Sequence, residues 1–129
     1  MSTYVKETVL RIPYEKTGWQ SQFVNAEAAR EHFEKEFPDL FDYATTEKFQ
    51  FAPTESDFID YVVDYESDAM GEYGKVRELL PVEQAIYYPI FAKVMPDADF
   101  SAIRVVEFCW YNCTEAPDYY NDVFNDPKI

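Results

Sequence analysis

The sequence predicts an α+β fold, a small antiparallel sheet that includes strands from both ends of the chain and is covered by three or four helices. Three observations carry this expectation. β-Branched and aromatic residues are concentrated at 3–12 and again at 103–111. Between them, apolar residues recur at helical spacing in three stretches, 26–37, 55–66 and 81–94. At 129 residues, with 47% apolar and 19% aromatic content, the chain is long enough for one core and too rich in rings to stay disordered despite a net charge of -14. A single domain over 1–129 follows.

The first strand sets Tyr4, Lys6, Thr8, Leu10 and Ile12 on one face and Val5, Glu7, Val9 and Arg11 on the other, and Pro13 closes it. Residues 14–23, with Gly18, read as loop. Asn25 is a good N-cap and Glu27 suits the positive end of the helix dipole, so a helix starts at Ala26 and stops before Pro38. Ala29, Phe33 and Phe37 repeat along it every four residues, with Glu27, Glu31, Glu34 and Lys35 on the other faces. A short helical turn is expected within 39–46, around Leu40, Phe41 and Tyr43. Phe49 and Phe51 alternate with Lys48 and Gln50, which suits a short strand before Pro53.

Thr54 can cap a helix over 55–66, with Asp57 at its third position and Phe58, Ile59, Tyr61, Val62 and Tyr65 at helical spacing. The pair Val62-Val63 and the three rings also suit a strand. Residues 67–74, with Gly71 and Gly74, read as a loop or a frayed helix end. The helix over 81–94 has Pro81 in its first turn and Pro96 beyond its end. Pro89 inside it predicts a kink or two shorter pieces. Residues 103–111 give the strongest strand signal, a central strand partly buried on both faces.

No catalytic or metal motif competes with this structural reading. His32 sits on the helix over 26–37 without an identifiable partner and reads as a surface or partly buried helical residue. Cys109 falls in an apolar strand, where burial opposes thiolate formation, and with Cys113 it reads as a reduced thiol. Asp97, Asp99 and Ser101 mimic the start of a calcium loop, but Ala102 replaces the required glycine and Phe108 the bidentate glutamate; a turn cap is the expectation. No cofactor and no enzymatic activity are expected. The start at residues 1–8 has no leader pattern, and no apolar stretch approaches the roughly 20 residues of a bilayer span, so a cytoplasmic protein without membrane contact is expected.

Charge is the feature that points to function. Between Phe49 and Gly74 stand seven carboxylates, Glu55, Asp57, Asp60, Asp64, Glu66, Asp68 and Glu72, and no Lys or Arg. On a helix, Asp57, Asp60 and Asp64 would share one face. A second acidic stretch holds Glu115, Asp118 and Asp122 beside Tyr119 and Tyr120, rings suited to an interface. Such a chain repels nucleic acid and attracts basic protein surfaces. In composition alone it is similar to phage or mobile-element proteins that inhibit host defence nucleases, including some anti-CRISPR and antirestriction proteins.

The leading expectation is a non-enzymatic inhibitor. It would occupy the basic groove of a nucleic-acid enzyme through Asp57, Asp60, Asp64, Glu66, Asp68, Glu72, Glu115, Asp118, Tyr119, Tyr120 and Asp122. An immunity protein against a nuclease toxin, or an adaptor domain whose acids only keep it soluble, are the alternatives. The oligomeric state is left open.

Overall fold

A computed structural model describes residues 4–42, 45–51, 58–69 and 73–111. Among them the order is β1 (Tyr4–Pro13), α1 (Ala26–Glu36), β2 (Phe49–Phe51), β3 (Phe58–Ala69), β4 (Tyr73–Glu78), α2 (Pro81–Ala92) and β5 (Arg104–Tyr111). Single 3-10 turns lie at Tyr14–Lys16, Trp19–Ser21 and Phe100–Ala102. All four strand pairings are antiparallel and build one five-stranded sheet in the order β2-β3-β1-β5-β4.

The expected small sheet under three or four helices is therefore corrected: the described chain is mostly sheet, with two α-helices. The difference arises at 55–66, where β3 replaces the expected helix. This strand is buried on both faces, Ile59 and Tyr61 on one and Phe58, Asp60 and Val62 on the other, so its apolar residues run together instead of alternating. A register shift opposite Thr8 and Val9 inserts Val63 as an extra residue and completes the resemblance to helical spacing. The loop or frayed helix end expected over 67–74 is also corrected, since β3 continues to Ala69 and β4 begins at Tyr73.

The other elements follow their local chemistry. The Asn25 side chain accepts a hydrogen bond from the Ala28 N–H at 2.9 Å and starts α1. α2 runs unbroken through Pro89, whose missing N–H would leave the Ala85 carbonyl open to water on an exposed face. β1 is the central strand, and β5 lies beside it inside the sheet, as its apolar sequence implies. The edges are blunted: β4 carries Lys75, Arg77 and Glu78, and Phe49 of three-residue β2 bonds to Leu40 and Asp42 in the preceding turn.

Both helices pack on one sheet face. Phe33 stacks on Trp19 with ring centroids 4.5 Å apart and on Phe41 at 5.0 Å, and the chain of rings continues through Phe49 to Tyr61 and Phe91. Leu10, Ile12, Ile59 and Val105 form the floor. The Trp19 indole N–H donates to the Val94 carbonyl at 2.9 Å, tying the Trp19–Ser21 turn to the segment just past α2. Beside Trp19, Gly18 adopts φ +79°, and a Cβ there would lie 2.8 Å from the Asp97 carbonyl oxygen, so no other residue fits.

Candidate functional site

The acidic residues singled out in the sequence fare differently. Asp60 is enclosed, with no exposed side-chain surface, and opposes Arg11 across the β1–β3 pairing. The Arg11 Nε and an Nη donate to its two carboxylate oxygens at 2.6 and 2.7 Å. Its charge is spent inside the sheet, and it is withdrawn from the partner-binding set. The stripe of Asp57, Asp60 and Asp64 does not form, because its segment is strand where described. Asp64 and Glu66 are exposed at the far end of β3, where Lys6 pairs with Glu66 and Glu107, each at 3.4 Å. Asp57, Glu72, Glu115, Asp118, Tyr119, Tyr120 and Asp122, and the side chain of Asp68, lie outside the described residues.

An acidic helix stripe does exist, on a different helix. On α1, Glu27, Glu31 and Glu34 recur at i, i+4 and i+7, rising about 4.5 to 6 Å per step. Past the helix end, Asp39 and Asp42 add exposed negative charge. Arg30, beside the stripe, is held by Glu27 at 3.6 Å and Glu34 at 3.5 Å and lies 5.8 Å over the Phe51 ring. Sequence reasoning passed over these acids because Arg30, Lys35 and Lys48 dilute the count. The signal was the spacing of the glutamates, not the sum.

Beneath the stripe, Arg30, Glu34, Phe41, Asp42, Phe49, Gln50 and Phe51 line an open hollow of about 320 Å³. A second hollow, about 280 Å³, lies between the 40–49 segment and the end of α2, with Leu40, Phe49, Tyr61, Ile90 and Val94 as walls and Glu47 and Lys93 as polar groups. Burial and the nearby Glu47 charge push the Tyr61 hydroxyl above its ordinary range.

The sheet face turned away from the helices holds a second core. Val9, Val62, Val106 and Phe108 pack there with Val76, and all of these described residues come from strands. Arg11 crosses this face, its guanidinium carbon 4.9 Å from the Phe58 ring and 5.4 Å from the Phe108 ring. Next to the Arg11–Asp60 pair, Glu7 is buried and accepts a hydrogen bond from Gln50 Nε2 at 3.1 Å. Burial, and then the Asp60 charge, raise the Glu7 carboxyl to about 7 against the opposing pull of Gln50 and Arg11. An acid that changes charge near neutrality couples its proton to the stability of the fold, because it is buried in the native chain and solvated in the unfolded one.

The remaining candidates are placed as follows. Asp99 accepts from the Ser101 N–H at 3.1 Å and from its hydroxyl, capping the 3-10 turn as the sequence implies. His32 is exposed against Phe23, Phe33 and Phe37. Cys109 is buried in β5 and Cys113 lies outside the described residues. Among the described residues no group of three His, Cys, Asp or Glu is placed to hold a metal ion, and no helix is long and apolar enough to cross a membrane.

No protein-family model, curated protein or solved structure matches the chain.

Proposed function

We propose that this protein is a non-enzymatic inhibitor that presents a negative surface to the basic groove of a nucleic-acid-binding enzyme, of the kind phages and mobile elements direct against host defence nucleases. The observation that carries the reading is the α1 stripe: Glu27, Glu31 and Glu34 at helical spacing, with Asp39 and Asp42 exposed beyond the helix end and Arg30, beside the stripe, already held by Glu27 and Glu34. A surface of this kind attracts a basic groove over a Debye length of about 8 to 10 Å, speeds encounter and loses affinity as salt rises. The rigid helix fixes the spacing of the charges, so they need no ordering on contact. Asp64 and Glu66 supply further charge on β3, and Glu115, Asp118, Tyr119, Tyr120 and Asp122 stay in the proposed set as the aromatic part of the contact.

The test is retention of a nucleic-acid enzyme from bacterial lysate and from a panel of defence nucleases, at stepped salt. The comparison is between the wild-type chain and an α1 variant carrying Glu27→Gln, Glu31→Gln and Glu34→Gln. All three positions are exposed, so the variant keeps its fold. Salt-sensitive retention by the wild type and loss by the variant support the reading. Equal retention by both leaves the α1 acids as a solubilising surface and sinks it.

A further inference from the structure

We propose that α2 is a homodimerisation surface, pairing antiparallel with α2 of a second copy about a twofold axis near Ala85 and Ile86. The helix is apolar nearly all the way round: Glu83 and Gln84 are its only residues with charged or amide side chains. A helix of that character is normally covered on every side. Its inner side is covered, with Phe91 fully buried and Tyr87, Tyr88 and Ile90 packed against the core. Its outer side is bare. Val82 is 64% exposed, Ile86 53% and the adjoining Leu80 56%, and Ala85 and Pro89 are exposed beside them. Val82, Ala85, Ile86 and Pro89 stand at i, i+3, i+4 and i+7, one continuous stripe.

Charge identifies the occupant. Residues 75–104 contain four cations and four anions, so the stripe sits on a neutral part of a chain whose total is -14. A strongly basic partner has no electrostatic reason to choose it, whereas two copies can meet there without bringing their acidic segments together. The ends of the stripe are also complementary. Glu83 and Glu78 stand at its start, with Arg77 paired to Glu83 at 2.6 Å and Glu78 only loosely to Arg104 at 3.8 Å. At its end Lys93 continues the Val82–Ile86–Pro89 line and is exposed; it shares a hollow with Glu47 but has no carboxylate within ion-pair distance among the described residues. Antiparallel pairing sets the Lys93 end of each copy against the Glu78 and Glu83 end of the other and opposes the two helix dipoles. The small residues Ala85 and Pro89 at the centre allow the axes to approach within the usual 8 to 10 Å. One helix of 12 residues is about 18 Å long, so the contact belongs with small, weak interfaces and dissociates in the micromolar range.

Sedimentation velocity of the full chain, from low micromolar to near-millimolar concentration, tests this. The wild type is expected to pass from 15.2 kDa to twice that mass as concentration rises. Ile86→Lys, at an exposed position, is expected to weaken association by about thirtyfold or more while the circular dichroism spectrum is unchanged. Lys93→Glu weakens it by roughly three- to tenfold through two symmetric exposed pairs, and adding Glu78→Lys recovers most of that loss. A wild type that stays at 15.2 kDa throughout, or a dimer that Ile86→Lys leaves intact, overturns the surface. Failure of the charge exchange to recover association overturns the antiparallel arrangement. A stripe covered only when a basic protein is added overturns the choice of a second copy.

Discussion

The two faces of the sheet are closed by opposite means. On the helix-covered face, stacked rings from α1, α2, β2 and the Trp19 turn interlock around Leu10 and Ile12. On the other, the fully buried set includes Arg11 and Asp60, joined by two short hydrogen bonds, with valines and two phenylalanines around them. The aromatic face draws its stability from many small dispersion contacts, each of which can be replaced in part by its neighbours. The charged face depends on one arrangement, because a buried ion without its counter-ion costs more than the pair contributes. The first face tolerates change, and the second specifies register: β3 slipped by one residue against β1 would leave both ions unpaired.

The largest expected effect breaks the charged face. Asp60→Ala, which strands Arg11 in the interior, should cost about 3 to 5 kcal/mol in a denaturant melt, and Arg11→Met together with Asp60→Leu should return most of it. A single-variant loss near zero would mean that the pair is not desolvated. Next is the proton on Glu7. The raised Glu7 carboxyl, about 7 in the folded protein against an ordinary 4.5, keeps its proton where the unfolded chain has lost it. Stability from this group is therefore full below about 4.5 and declines as pH rises through 7, by up to about 3 kcal/mol. Glu7→Gln should flatten that slope in melts taken between pH 5 and 8, and a slope unchanged by the variant would assign it to other groups.

Smaller effects belong to the aromatic face and the surface. Phe33→Leu, in the middle of the ring stack, should cost only about 1 to 1.5 kcal/mol in the same melt, because the flanking rings take up part of the space. A cost equal to that of Asp60→Ala would erase the distinction between the faces. The Arg77 hydrogen bonds hold Glu83 down to about 2, so its contribution is present above about 4.5 and is lost as pH falls toward 2. Because Arg77 is half exposed, Glu83→Gln should cost less than about 1 kcal/mol, read as a small drop in midpoint at pH 7 and none at pH 2.

The sequence made legible the elements whose two sides differ. α1 has a cap, a periodic apolar side and a proline stop, and β1 and β5 have β-branched runs. β3 was read as a helix because burial on both faces removes alternation and an extra residue at Val63 mimics the helical period. β4 was missed because an edge strand defends itself with charges and here includes Gly74, a composition that reads as loop. The Arg11–Asp60 pair left a trace, an unexplained charge inside each of two apolar runs, which points to pairing once both are recognised as strands. For the candidate site, counting acids by segment singled out Asp64 and Glu66, which are exposed, and Asp60, which is buried, and gave no weight to the exposed Glu27, Glu31 and Glu34 of α1.

The position of β1 governs when the molecule can exist at all. It is the first strand of this sheet in chain order and the middle of the finished sheet, yet its partners are Phe58–Ala69 on one side and Arg104–Tyr111 on the other. Until β3 is synthesised the Arg11–Asp60 pair cannot form, and until β5 follows a full edge of β1 stays open. Folding of this kind is slow and nearly all-or-none, and a nascent chain released before residue 104 would carry an unpaired apolar strand, a ready target for chaperones and proteases.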